Sequence, residues 1–380
     1  MGVFKLAFPK INLSGEGAIG ALIDRLKEEH GNDSGLLICD PALVELGLAA
    51  QLIESDLNLT LFKDVRPNPD TNTVNNAYDQ YVSSGASYII GFGGGSSIDT
   101  AKAIRILSAN DGPIAAYNGV EKVKVIGAPL YAINTTAGTA AEVTSNAVIT
   151  DTATHVKHVI ISDKIIPDIS VNDPSVMLGI PKSVTAATGI DALTHALESY
   201  VSVGAHQLTD YVSLESIRMI AENLPKAVDD GSDIKAREMM AYGQFVAGLS
   251  FNSAGLGMVH AMAHPAGAHK DLPHGVCNAI LLPIVSEFNR PYRTEKFAKV
   301  AEALGVDTSG MSIEEASFAA IDALNALNRR VGIPAGFGEL GVTEADTQSW
   351  IEDALADPCA GGNPHPMTHE DVAALYRRAL

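Results

Sequence analysis

Cysteine is scarce in this chain. Cys39, Cys277 and Cys359 are the three among 380 residues, odd in number, far apart and without paired spacing. Free buried thiols and a reducing compartment are therefore expected rather than a disulfide framework. Cationic side chains are also few: 26 Lys and Arg stand against 45 Asp and Glu, a formal net charge of -19. So acidic a chain cannot neutralise a run of phosphates, which excludes nucleic acid and anionic membrane as partners. No apolar run reaches the roughly 18 to 20 residues that a bilayer-spanning helix needs, and MGVFKLAFPK at the N-terminus lacks a signal-peptide core. Solenoid-length repeats and low-complexity segments are missing as well. A cytoplasmic enzyme or binding protein is the expectation, and a chain of this length is long enough for two domains.

Histidine is what the chain concentrates. It has eleven, and His260, His264, His269 and His274 fall in the single stretch VHAMAHPAGAHKDLPHG from Val259 to Gly275. His260 and His264 are four apart, so a helix stacks them on one face, and Leu272-Pro273 reads as a turn that returns His274. Asp191 and His195 repeat the four-residue spacing in GIDALTHALE. Two such half-sites together supply one carboxylate and two or three imidazoles without cysteine, a donor set suited to Fe(II) or Zn(II) with a position left for substrate. A lone histidine at helical spacing is more often a satisfied core or surface residue; four in one window beside an Asp-x-x-x-His pair favour a metal.

The first half alternates short strands and helices. Gly17 to His30 has helical periodicity, and Gly31 can stop it. Strands are expected at Leu36 to Cys39, Leu59 to Phe62, Ser87 to Gly91, Pro129 to Ile133 and Ile169 to Asn172, with a hairpin of Asn146 to Thr150 and Val156 to Ile161. Asp40-Pro41 after the first of these has two readings, a helix cap and an acid for the adenosine ribose of a dinucleotide. In the loop from Val65 to Asp70, Pro67 and Pro69 stiffen a connection or present ligand contacts. Gly93-Gly94-Gly95-Ser96 joins a strand to a helix over Ile98 to Leu107, where backbone N–H groups and the helix dipole suit a diphosphate; Asp99 serves that dipole or a ligand hydroxyl. The loop is no P-loop, because no Lys-Ser or Lys-Thr follows, and Asp40 precedes the glycines, unlike the usual dinucleotide fingerprint. Thr135, Thr136 and Thr139 around Gly138 form an anion nest, a capping cluster with Glu142, or both. Lys157 is an available cation. Past Pro181 the pattern is almost entirely helical, so an α/β dinucleotide-binding domain (residues 1–183, Rossmann-like, mostly parallel sheet) is expected before an all-α domain (residues 184–380), with the active site in the cleft between them.

The segments GGGSSIDTAKAI from Gly93, TTAGTAAEVT from Thr135, ATGIDALTHALESY from Ala187, VHAMAH from Val259 and LPHGVCNAILLP from Leu272 together resemble the iron-dependent (group III) alcohol dehydrogenases over essentially the whole chain. His264-Pro265 with Gly267-Ala268, and Cys359 to Pro364, are similar to the branch that interconverts 1,2-propanediol and lactaldehyde. The resemblance implies a dehydroquinate synthase-like fold, reversible hydride transfer between NAD and a small primary alcohol or diol, and a homodimer, with Phe4 to Ile11 available as an edge strand across subunits. It makes Asp191, His195, His260 and His274 the ligands of Fe(II), Zn(II) being compatible, and His264 a non-ligand imidazole beside the nicotinamide; as an imidazole, His264 is then the candidate for relaying the hydroxyl proton. It assigns Asp40 to the adenosine ribose, which disfavours NADP, and Gly94, Gly95, Ser96, Asp99, Thr135, Thr136 and Thr139 to the cofactor, with Asn68 and Lys157 as weaker contacts. This chain carries His269-Lys270-Asp271 where that branch has an aromatic pair, so a more polar pocket that accepts an anionic aldehyde is a further expectation. The same two-domain plan also serves dehydroquinate synthase, a lyase that cycles NAD internally, but its substrate calls for several Lys and Arg that these motifs do not supply. A non-catalytic metal-binding protein is disfavoured because every ligand position is filled.

Overall fold

The computed structural model describes residues 3–153 and 157–380. The chain divides into two compact units: 7–136 with 140–177, and 178–380 together with 137–139 and the N-terminal residues up to Leu6.

The first unit is built on six parallel strands in the order β1-β9-β6-β4-β2-β3: β1 Ile11–Ser14, β2 Gly35–Cys39, β3 Leu59–Phe62, β4 Tyr88–Gly93, β6 Leu130–Asn134 and β9 Ile169–Asn172. β2, β4, β6 and β9 are buried at every position, as a parallel sheet covered on both faces requires, and β2 and β4 read as unbroken apolar runs. β5 Gly119–Val120, β7 Asn146–Thr150 and β8 Lys157–Ile161 make a second, smaller sheet, in which β7 and β8 pair antiparallel. The expected hairpin is therefore present, except that Val156 lies outside the described residues. Residues 4–10 carry no strand in this chain, because β1 begins at Ile11.

All six strands run the same way, so their C-terminal ends share one edge. Register aligns Cys39 with Phe92, Gly93 with Asn134 and Asn134 with Asn172. Asp40, the glycine loop and Thr135-Thr136 thereby come to adjacent strand ends, the usual ligand edge of an open α/β sheet. The strand runs on to Gly93 and the helix starts at Gly95, not Ile98. Gly93 makes this possible, since its φ of 148° is open to glycine and a Cβ there would meet Ser97 Oγ at 2.5 Å.

Lys102 lies on that helix and is fully buried. Its ammonium donates to Thr144 O at 2.8 Å, Thr144 Oγ1 at 3.3 Å and Asn146 O at 2.7 Å, tying the helix to the start of β7. Burial pulls its pKa down to about 8 against the charges of Asp99 and Glu142. Replacing Lys102 by methionine leaves these acceptors unmatched, and a loss of about 3 kcal/mol is expected. Thermal unfolding of the variant beside the parent protein measures it.

The second unit is helical. Its central helix, Lys182–Val201, is buried at every residue from Thr185 on except Thr188. Such a helix has no polar face to give to water and must be enclosed by others. Gln207–Asp229, Ile234–Ala254, Met258–Lys270 and His274–Asn289 do this, and their apolar residues join it in one core. No helix among the described residues is long and apolar enough to cross a membrane.

Candidate metal centre and cofactor edge

The central helix presents Asp191, His195 and Glu198 on one side, at offsets of four and seven residues. Helix Met258–Lys270 brings His260 and His264, and helix His274–Asn289 brings His274 and Asn278. Gly275 sets the approach of this last helix, because a Cβ there would lie 2.4 Å from Ala187 O on the central helix. Backbone contact so close holds His274 beside Asp191.

The structure brings the four expected ligands together. Asp191, His195 and His260 are buried, and one donor atom of each lies within 4.8 Å of the others. Asp191 Oδ1 is 3.8 Å from His260 Nε2 and 3.5 Å from His274 Nε2. Donors about 2.1 Å from a common tetrahedral ion stand about 3.4 Å apart, so these separations suit a divalent cation. The unmet polar atoms agree. Asn278 Nδ2 lies 2.6 Å from Asp191 Oδ1, 3.1 Å from His260 Nε2 and 3.0 Å from His274 Nε2, so two hydrogens face three acceptors. Asn278 Oδ1 is itself buried with no hydrogen-bond partner. A pocket rich in lone pairs and poor in positive charge fits a cation.

Electrostatics keep the imidazoles ready as ligands. Burial, and then the neighbouring His195, His274 and His264, hold His260 well below the usual imidazole pKa; burial also lowers His195, against the pull of Asp191. Both are therefore neutral near pH 7. The side chain of His274 is 32% exposed where that of Asp191 is 3%, so the cluster opens to solvent on the His274 side.

Three residues that sequence reasoning missed support the cluster. Glu198 Oε2 is 2.6 Å from His260 Nδ1 and its Oε1 accepts from the Val259 amide at 2.6 Å. Burial pushes the Glu198 carboxyl up to about 8, opposed by the amides of Val259, Gly257 and His260 at the start of helix Met258–Lys270. Fixing Nδ1 aims Nε2 at the cluster, the carboxylate–histidine–metal relay. The three-residue step from His195 was the available signal. Asn278 carried a similar one, four residues after His274. Asp357, whose Oδ2 is 2.7 Å from His264 Nδ1, gave none. His264 stacks on His274 with centroids 5.3 Å apart, beside the four-residue set and outside it.

In the α/β unit, Asp40 Oδ1 accepts from the Ala42 amide at 2.7 Å and caps the short helix Pro41–Glu45. Gly94 caps helix Gly95–Leu107 with no side-chain hydrogen bond, which leaves the first-turn amides of Gly95 and Ser96 to other acceptors. Thr135 is buried, and Thr136 lies so close against Gly94 that a Cβ added to the glycine would meet its Oγ1 at 3.2 Å. Asn68 Oδ1 accepts from Lys157 Nζ at 3.0 Å, so the two weaker candidates are joined. Asp99 accepts from the Val148 amide at 3.0 Å, and burial raises its carboxyl to about 6; its carboxylate serves β7.

Two expectations change. Thr139 and Glu142 form no capping box, since no helix starts there: Thr139 belongs to the helical unit, and Glu142 is buried and accepts from Asn172 Nδ2 at 2.9 Å. The positive patch of His269 and Lys270 is met by acids of helix Glu344–Ala356, His269 pairing with Asp353 at 2.8 Å and Lys270 with Asp346 at 2.9 Å. These pairings set an acid against each side chain of the patch.

Comparison with known proteins agrees with the site. The family profile "Iron-containing alcohol dehydrogenase" matches residues 9–174, and "Fe-containing alcohol dehydrogenase family, C-terminal" matches residues 185–380. The chain is 43% identical to lactaldehyde reductase of Escherichia coli K12 over 96% of each chain, and 41% identical to NAD-dependent methanol dehydrogenase of Bacillus methanolicus over 98% of each. A crystal structure of 1,3-propanediol oxidoreductase is similar over the whole of both chains, with a TM-score of 0.96 at 41% identity. Matches of this kind across both halves leave no place for the lyase reading. With a donor set of one carboxylate and three imidazoles on a helical scaffold, and a parallel sheet before it, the chain belongs to the iron-containing alcohol dehydrogenase family.

Proposed function

We propose that this alcohol dehydrogenase interconverts a small primary alcohol or diol, such as 1,2-propanediol, and its aldehyde, with NAD as hydride acceptor and donor. The observation that carries the reading is the cluster of Asp191, His195, His260 and His274 at metal-ligand separations. These four would hold the iron. When bound, it supplies Lewis acidity to the alcohol oxygen, so that the hydroxyl proton leaves near neutral pH.

The chain's own residues do the rest. Glu198 holds His260 with Nε2 inward, and Asn278 lines the donor atoms that a cation would use. Exposure on the His274 side admits substrate. His264, oriented through Nδ1 by Asp357, accepts the hydroxyl proton and passes it to solvent; NAD, when bound, would supply the hydride acceptor. The amides after Gly94 and the side chains of Ser96, Thr135 and Thr136 receive the dinucleotide. Asp99, Asn68 and Lys157 support that edge. Zinc suits the same donors, and iron is the metal that drives turnover. Phe4, Leu6 and Phe8, all exposed, are offered to a second copy in a homodimer, which sedimentation tests.

Asp40 keeps a second carboxylate oxygen for the adenosine ribose. Asp40→Ser retains the helix cap and removes the charge that repels a 2'-phosphate. A repulsion of about 1.4 kcal/mol or more near a surface corresponds to at least about a tenfold rise in the NADP to NAD ratio of kcat/KM. Glu198→Gln is expected to weaken iron binding by about 10- to 100-fold, read by chelator competition.

The test of the whole reading is NADH formation by apoprotein reloaded separately with Fe(II) and Zn(II), given 1,2-propanediol, 1,3-propanediol and methanol with NAD or NADP. Turnover restored by iron and selective for NAD is expected. Tight iron and NAD binding without turnover on any of the three alcohols would sink the substrate class.

A further inference from the structure

A second group of metal-binding side chains lies next to the four-residue cluster. His264, Asp357 and Cys359 each offer a donor atom within 4.8 Å of the other two. Asp357 caps the short helix Pro358–Gly362 by accepting from the Cys359 amide through Oδ1 at 2.8 Å, which turns Oδ2 to His264 Nδ1 at 2.7 Å. The Cys359 thiol also donates to Asp357. Two protons, one on nitrogen and one on sulfur, are thus aimed at one carboxylate, an arrangement that a divalent cation replaces. All three residues are partly exposed, and the side chain of His264 is 23% exposed.

We infer that His264, Asp357 and Cys359 form a distinct site for a thiophilic divalent cation, of the zinc or cadmium class, beside the iron centre. A thiolate, an imidazole and a carboxylate leave a fourth position for water, the pattern of an open zinc site, and the sulfur selects against magnesium and calcium. Donors around a four-coordinate ion stand about 3.3 to 3.8 Å apart, so the His264–Asp357 pair opens by roughly half an ångström, within the reach of side-chain rotation. On binding, the thiol proton leaves to solvent and the imidazole proton moves from Nδ1 to Nε2; no oxidant or reductant takes part. Without a cation the thiol stays protonated, because burial and the nearby Asp357 and Glu198 push it well above its ordinary pKa. Cys359 is thereby a poor nucleophile and a latent ligand.

Occupation withdraws His264 from proton transfer, so zinc in excess inhibits; this consequence alone rests on the role proposed for His264. The cation site itself is tested separately. Iron-loaded enzyme is titrated with Co(II), which shows a sulfur-to-cobalt charge-transfer band only where a thiolate binds, so cobalt exchanging into the all-nitrogen-and-oxygen centre stays silent in that band. One equivalent per chain of band-forming Co(II), displaced by Zn(II) and not by Mg(II), is expected. Cys359→Ser is expected to lose the band, with cobalt bound at the first centre still visible in its d–d spectrum as evidence of folding. Asp357→Asn is expected to weaken band formation about tenfold or more. No band at saturating Co(II), or a band that persists in Cys359→Ser, overturns the proposal. If the band forms and behaves in this way but turnover is indifferent to it, the site stands and the role of His264 falls.

Discussion

Asp191→Ala is expected to remove iron from the protein and lower kcat/KM by at least about a thousandfold. Asp191 is the anion in a donor set otherwise made of imidazoles, and its Oδ1 is the atom on which His260, His274 and Asn278 converge. Removing a partner that merely orients a ligand already costs about 10- to 100-fold in metal affinity, so losing the anionic ligand costs more. Metal assistance is worth several kcal/mol to the reacting oxygen, and each 1.36 kcal/mol is about tenfold in rate. Iron content by elemental analysis and the rise of the unfolding temperature on adding iron are the two readouts. A hundredfold excess of iron over its dissociation constant stabilises the parent by about 2.7 kcal/mol, a shift the variant is expected to lose. Asp191→Asn keeps the shape and drops the charge, and should fall with alanine. An asparagine variant that binds iron normally would show that Asp191 is not a ligand.

The cluster was legible in the sequence because its two half-sites are local. Residues four apart share a helix face wherever the helix goes, so Asp191 with His195 and His260 with His264 could be grouped from spacing alone, whereas the choice of His274 over His264 as the fourth ligand came only with the family resemblance. The strand ends were legible for a similar reason: runs such as Leu36 to Cys39, bounded by turn residues, place Asp40 and the glycine loop at the edge of a parallel sheet. What spacing could not supply was contact between distant segments. Asp357 meets His264 across 93 residues of chain, and helix Glu344–Ala356 brings Asp346 and Asp353 to Lys270 and His269. Read along one stretch, His269-Lys270 is a positive patch; folded, Lys270 forms a salt bridge with Asp346 and His269 a hydrogen bond with Asp353. The Thr139–Glu142 spacing misled in the opposite sense, since a local capping pattern yielded to a tertiary demand: Glu142 was needed by Asn172 in the interior of the sheet unit. Local patterns hold where nothing distant competes for the same side chain.

His264→Ala is expected to lower kcat for alcohol oxidation by about 10²- to 10⁴-fold, the range for loss of a positioned acid–base group, while iron content stays near that of the parent. Retained iron separates this variant from Asp191→Ala, because His264 stands beside the four proposed ligands and stacks on one of them, His274. The direction of the pH effect follows from the role. In oxidation His264 must be neutral to accept the hydroxyl proton, so acid that protonates the ring slows this direction. Aldehyde reduction needs the protonated form, so base slows it. Asp357 bears on the charged form too: although burial would raise its carboxyl, the hydrogen bond and charge of His264 hold it below the usual carboxylate range, so the acid stays ionised opposite the ring. Both limbs are expected to vanish in His264→Ala, leaving a slow and flatter profile. If turnover drops while the profile keeps its shape, His264 only shapes the pocket and the proton leaves by another route; if neither changes, it has no part in the reaction.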